Sequence, residues 1–269
     1  MDEVNVAYDT NHTFAVCAYK ESPHLETCLK SLLSQSVKTN ILISTSTPNA
    51  HIEGLAKKYH LPLYFTNQPS DIQDDWNYAY NLAKTEWVTV AHQDDIYNKH
   101  YVEKLLEYTK TDSEDITMVM TDYLPIKGGK IGKRDINSKL RRFFRLPLKN
   151  KTLAGRKFVR RRCLSFGNSI CCPTVTYHKK KLGDTVFTSK LKFSLDWDTF
   201  TKLAGYPGRF CYIDIPLTYY RVYEGATTKE FIVNHTREAD DIYMFRQFWP
   251  EWICKIIMKF YINAYKTYD

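Results

Sequence analysis

The chain has 269 residues, 43% hydrophobic and 25% charged, with 38 Lys and Arg against 30 Asp and Glu, a formal net charge of +8. That length suits one α/β domain, or one domain with an appendage, and a mean hydropathy of −0.44 reads as a soluble protein. The opening Met1-Asp-Glu-Val-Asn-Val-Ala-Tyr-Asp9 is acidic and lacks the apolar core of a secretory signal. No apolar run reaches the roughly 18 to 20 residues of a spanning helix. Seven cysteines, odd in number and without CxxC spacing, argue against a disulfide framework or zinc site and fit a reducing cytoplasm.

In chain order, Thr13–Tyr19 reads as a strand that stops at the turn Lys20-Glu-Ser-Pro23. Leu25, Cys28, Leu29, Leu32 and Leu33 form one helical face. A second strand, Asn40–Ser44, ends in Thr45-Ser-Thr-Pro-Asn49, and Ile52, Leu55, Ala56 and Tyr59 mark a second helix. Leu61–Phe65 is a third strand, about Asp74 to Lys84 a third helix with Trp76, Tyr80 and Ala83, and Trp87–Ala91 a fourth strand. Strands alternating with short helices predict a parallel sheet covered on both faces. There is no GxGxxG and no GxxxxGK[ST], so neither a dinucleotide fold nor a P-loop enzyme is supported.

The fourth strand runs into His92-Gln-Asp-Asp95, and a helical pattern resumes at Tyr101, Val102, Leu105 and Leu106. Two acids at the C-terminal mouth of a central strand sit where open α/β sheets bind ligands. Carboxylate oxygens suit Mg2+ or Mn2+, which keep places for substrate phosphates. Capping of the next helix is the alternative role for the pair.

The order of these pieces resembles family 2 glycosyltransferases, which have the GT-A fold. The resemblance spans roughly 13–228. It is carried by Ala18-Tyr-Lys-Glu-Ser22, Leu25-x-x-Cys-Leu-x-Ser-Leu-Leu-x-Gln-Ser36, Asp74-Asp-Trp-Asn-x-Ala79 and the acid pair. The second half adds Gly167-Asn-x-Ile170, Leu195-Asp-Trp-Asp198 and Tyr220-Arg-Val-Tyr-Glu-Gly-x-Thr227. It implies one GT-A-like domain over 1–228 with a mainly parallel sheet, a basic insertion at about 127–162, and a helical tail over 229–269.

The resemblance also implies roles. His92-Gln93-Asp94 takes the place of the family's Asp-x-Asp motif, with Asp94, and Asp95 beside it, for the metal, and His92 where an acid usually meets the ribose. Ala18, Tyr19, Glu21, Ser44, Asn67, Asn77, His92, Gln93 and Arg221 fall on the donor side. Asn67 and Asn77 have turn capping or a polar helix face as their alternative. Strand 2 of the family commonly ends in an Asp-rich turn, whereas Ser44-Thr-Ser-Thr-Pro48 offers only hydroxyls. Asp196 matches the general base of inverting transfer, with Asn168, Trp197 and Asp198 toward the acceptor. Arg221 suits a diphosphate, since guanidinium grips phosphate oxygens bidentately.

Charge is unevenly spread. Residues 127–162 hold 15 Lys and Arg against one acid, Asp135, a balance of +14, while the rest has 23 basic and 29 acidic residues, net −6. Basic residues interleaved with Phe143, Phe144 and Leu146 suit an anionic membrane surface or a nucleic-acid backbone. In the tail, Ile253, Ile256, Ile257, Phe260 and Ala264 share a helical face opposite Lys255, Lys259, Asn263 and Lys266, beside the interfacial ring types Trp249, Trp252, Tyr261, Tyr265 and Tyr268. Membrane contact and packing on the domain both produce this pattern. The expectation is an enzyme that takes a nucleotide-diphosphate sugar, with Mn2+ or Mg2+. It works on a lipid-linked glycan of a microbial surface polysaccharide, at the inner face of the plasma membrane, and needs no nucleic acid. A nucleic-acid binder or an inactive donor-binding relative are the alternatives.

Overall fold

Alternation along the first strand explains why the sheet has a core on each side. The computed structural model describes residues 10–66, 69–222 and 236–265. Asn67, the run Tyr223 to Thr227, Lys266 and Tyr268 therefore lie outside the described residues. In β1 (His12–Ala18), Ala15 joins one core, while Phe14, Val16 and Ala18 join the other, because successive strand side chains face opposite ways.

The first half alternates as expected: α1 (Leu25–Leu33), β2 (Asn40–Thr45), α2 (Ala50–Lys58), β3 (Leu63–Phe65), α3 (Ile72–Leu82) and β4 (Trp87–His92). Strands pair in the order β3-β2-β1-β4, all parallel. Helix α3 starts earlier than the apolar pattern indicates, because Asp71 and Asp74 form a reciprocal capping box at its N-terminus.

The second half departs from a purely parallel sheet. It contains β5 (Ile96–Tyr97), α4 (Tyr101–Thr109), β6 (Ile116–Lys127), β7 (Lys130–Ile131), α5 (Ile136–Arg145), α6 (Lys151–Ala154) and α7 (Lys157–Arg162). Then follow β8 (Val175–His178), α8 (Lys179–Leu182), α9 (Leu195–Leu203), β9 (Arg209–Arg221), α10 (Thr236–Arg246) and α11 (Glu251–Tyr265). Strand β8 inserts between β4 and β6, antiparallel to both. Strands β6 and β9 pair in parallel, and the short β5 closes that edge antiparallel to β9. The sheet is mixed, and its parallel half carries the ends of β1, β2 and β4 to one edge.

The basic stretch has helices of its own. It is folded into the domain as α5 to α7, with Leu148 and Ala154 fully buried. Arg145 is 1% exposed and donates to Asp122 Oδ1 at 2.6 Å and to the Ser169 carbonyl. Arg134 also binds Asp122, and Arg142 grips Asp214 with two bonds of 2.7 and 2.8 Å. Arg160 ties the end of α6 to the end of α9, donating to the Gly155 carbonyl after the first and to the Ala204 and Tyr206 carbonyls after the second. Several of these cations thus pair with acids or donate to carbonyls elsewhere in the fold. Helices α10 and α11 add Met244, Phe245, Cys254 and Met258 to the core that holds Ala15.

Candidate active site

A cleft of about 680 Å³ opens where β1, β2 and β4 end, and α9 forms its opposite wall. Ala18, Tyr19, Ser44, His92, Gln93, Asp94, Asn168, Asp196 and Trp197 all line it. Five other described residues named from the sequence do not, among them Asp95, which is fully buried. Glu21 is exposed outside the cleft. Asn77 is clamped to the chain before α9: its Oδ1 accepts from Val186 and Phe187 N–H, and its Nδ2 donates to the Phe187 carbonyl at 2.7 Å. Asp198 is buried on the far side of its helix against Lys202 at 2.7 Å. Arg221 is behind the acid pair, its Nε donating to the Asp94 carbonyl at 2.8 Å and its N–H to Asp95 Oδ1 at 2.9 Å.

These contacts fix the turn after β4. Gln93 exchanges two hydrogen bonds with the Tyr19 backbone, at 2.9 and 3.0 Å, and ties the ends of β1 and β4 together. His92, Asp94 and Asp95 each offer a ligand atom within 4.8 Å of the others. Among the described residues, His92 Nε2 and Asp95 Oδ2 are buried without a hydrogen-bond partner. Such orphaned atoms are costly unless something binds them. Burial also lowers the His92 imidazole to about 4, so the ring is neutral and keeps a lone pair. Burial, then the Asp94 charge, pushes the Asp95 carboxyl well above its ordinary range. A nitrogen and two carboxylates, with the unmet atoms on His92 and Asp95, fit a divalent cation.

Two features escaped the sequence. Asp75 enters the cleft from α3 and accepts from Ser46 at 2.9 Å and Ser70 at 2.8 Å. A carboxylate therefore does stand at the β2 turn, but a different helix supplies it. The Asp74-Asp75-Trp76 run was the available signal. Trp76 stacks on His92, with ring centroids 4.9 Å apart and planes at 25°. The second is Arg141 of α5, which lines the cleft with Tyr123 and Tyr220.

Asp196 is in the first turn of α9. Its Oδ2 accepts from Asn168 Nδ2 and its Oδ1 from the Trp197 N–H, both at 2.8 Å. Burial raises its carboxyl to about 6, against the opposing pull of the Trp197 N–H, the Arg141 charge and Asn168. A carboxylate near the working pH suits proton transfer in either direction. The approach to α9 is held by Asp240 Oδ2, which accepts from the N–H groups of Lys192, Phe193 and Ser194. Trp197 is anchored by its indole N–H on the Leu164 carbonyl at 3.0 Å.

The family model described as Glycosyl transferase family 2 matches residues 13–185. No curated protein matches the chain. Among solved structures, S. aureus TarS 1-349 in complex with UDP-GlcNAc is similar, with 17% identity and a TM-score of 0.60, over 94% of this chain and 71% of that one. The mannosyltransferase PcManGT from Pyrobaculum calidifontis, in complex with GDP-Man and Mn2+, gives 15% and 0.61 over 89% and 64%. Glucosyl-3-phosphoglycerate synthase from Mycobacterium tuberculosis, in complex with phosphoglyceric acid, gives 12% and 0.53 over 88% and 79%. At such identities the likeness is one of fold.

Proposed function

The chain belongs to glycosyl transferase family 2 and is a glycosyltransferase of GT-A fold, and from that premise we propose that it moves a sugar from a nucleotide diphosphate to an acceptor hydroxyl with inversion. The observation that carries this reading is that Asp196 and the His92–Asp94 turn open on one cleft. Asp196 takes the acceptor hydroxyl's proton as that oxygen attacks the anomeric carbon. The bond from that carbon to the diphosphate breaks on the opposite face, and the nucleoside diphosphate leaves. His92, Asp94 and Asp95 would hold Mn2+ or Mg2+, which supplies positive charge against the leaving diphosphate. Arg221 fixes the backbone of that turn, and Asp75 with Ser44 and Ser46 gives the hydrogen-bonding groups for base or ribose.

UDP-GlcNAc and GDP-Man in structural neighbours support a nucleotide-sugar donor, and Mn2+ in one of them supports the metal. The acceptor we favour is a lipid-linked glycan of a microbial surface polysaccharide, met at the inner face of the plasma membrane. Among the described residues no helix is long and apolar enough to cross a membrane, so attachment would be peripheral. The nucleic-acid alternative loses support because Arg134, Arg142, Arg145 and Arg160 already hold partners inside the fold. The inactive-relative alternative loses support because Asp75 stands at the β2 turn.

The test is a panel of nucleotide sugars in a thermal-shift assay, with and without Mn2+. A donor at 100 times its Kd stabilises by about 2.7 kcal/mol through mass action. One donor should raise Tm, and Mn2+ should enlarge the rise. No shift from any nucleotide sugar under either condition would overturn the reading.

A further inference from the structure

Helix α5 is folded inside out. Its inward side carries Arg145, which is 1% exposed on Asp122, and Arg142, bound twice to Asp214. Its outward side carries Ile136, Leu140 and Phe143, which are 82%, 50% and 65% exposed. The spacing of i, i+4 and i+7 puts these three on one helical face. A surface helix ordinarily turns its apolar stripe to the core and its charges to water. Here the buried Asp122 and the partly buried Asp214 draw the arginines inward and leave the apolar stripe facing out.

Helix α11 shows a second outward stripe. Cys254, Ile257, Met258 and Tyr261 pack on the core, and one such face is enough to dock a terminal helix. Yet Trp252, Ile256 and Phe260, at i, i+4 and i+8, are 65%, 50% and 74% exposed. The two helices belong together. Phe144 of α5 stacks on Phe166, with centroids 5.4 Å apart, and Phe166 meets Trp249 just before α11 at 5.0 Å. Each helix also sends one side chain into the cleft, Arg141 from α5 and Tyr261 from α11.

We propose that the outward faces of α5 and α11 together form a docking surface for an anionic lipid bilayer. Exposed Lys133 and Lys139 flank the first stripe, and Lys255 and Lys259 flank the second. Shallow insertion of Trp, Phe, Leu and Ile with lysines at headgroup level is the pattern of an interfacial helix. The ammonium groups complement lipid phosphates, which selects a lipid surface over an apolar protein pocket. The paired arginines have a different job from lipid contact: they hold α5 in the orientation that presents its apolar side. The functional consequence depends on the lipid-linked acceptor proposed above, because the docked face adjoins the cleft and would receive such an acceptor from the bilayer.

Flotation with vesicles of phosphatidylcholine alone, or mixed with phosphatidylglycerol, tests the surface directly. The full chain should float with the anionic vesicles and less so at high salt. Leu140→Ser with Phe143→Ser, and separately Trp252→Ser with Phe260→Ser, should each weaken partitioning about tenfold or more. Both pairs alter exposed side chains, so Tm and donor hydrolysis should stay at wild-type values. A wild type that ignores anionic vesicles, or variants that float equally well, would overturn the proposal. So would a dimer, seen by light scattering, that these substitutions dissociate while flotation is unchanged, since the occupant would then be a second copy. Donor hydrolysis is read separately, so failure of the docking surface and failure of the transferase chemistry are told apart.

Discussion

Asn168 donates its side-chain amide to Asp196 at 2.8 Å, joining the chain that follows α7 to the first turn of α9. The same amide presents its Oδ1 to the Ile170 N–H at 3.2 Å, which fixes which end of the side chain faces the carboxylate. Asn168 thus favours the ionised form of a group that burial pushes toward protonation.

Proton uptake by Asp196 requires the carboxylate form, and its carboxyl is raised to about 6 by burial. Activity should therefore be lost as pH falls through about 6 and level off above it, which a kcat/KM profile will record. Asn168→Leu removes a bond to the charged form, so this acid limb should move to higher pH. Asp196→Asn should lower kcat by roughly 10²-fold or more while donor affinity changes little. A variant that lost donor binding and kept its turnover would put Asp196 on the donor side.

Asp94→Asn removes one carboxylate from the group that includes His92 and Asp95. Manganese-dependent donor binding should weaken and transfer should be abolished, with Tm in the absence of ligands nearly unchanged. Titration calorimetry with Mn2+ and donor is the measurement. Full metal-dependent turnover in the variant would exclude Asp94 as a ligand.

Asp75→Ala leaves Ser46 and Ser70 without their common acceptor and removes the carboxylate nearest the β2 turn. Hydrogen bonds to a charged group contribute about 1.5–3 kcal/mol, so donor Kd should rise roughly ten- to a hundredfold. A change confined to acceptor KM would place the residue elsewhere in the cycle.

Arg145→Met leaves Asp122 buried with one guanidinium fewer. Breaking a buried pair from one side costs about 3–5 kcal/mol, measurable as a lower urea midpoint. Lys149, half-exposed beside Asp214, is the control: Lys149→Met should stay within about 1 kcal/mol. Equal losses from the two would contradict the structural role given to the buried arginine.

Local features were legible in the chain. The period-two runs became β1, β2 and β4, and the 3.6-residue faces became α1, α2 and α4, because each pattern is set by neighbours a few residues apart. The acids at the end of β4 and the Asp196 turn could be named because strand ends and helix starts are themselves local. Contacts between distant segments were not legible. Asp75 meets Ser46 across 29 residues, and Asn77 is held by Phe187 across 110. Residues 127–162 supply the sharpest contrast. Their composition established a +14 balance, but counting charges cannot tell a solvated arginine from one paired with a distant acid. Tertiary structure decided that Arg142 and Arg145 turn inward to Asp214 and Asp122 while Ile136, Leu140 and Phe143 turn out. Periodicity reports that a helix has two unlike faces; which face is covered depends on the partners the rest of the fold brings to it.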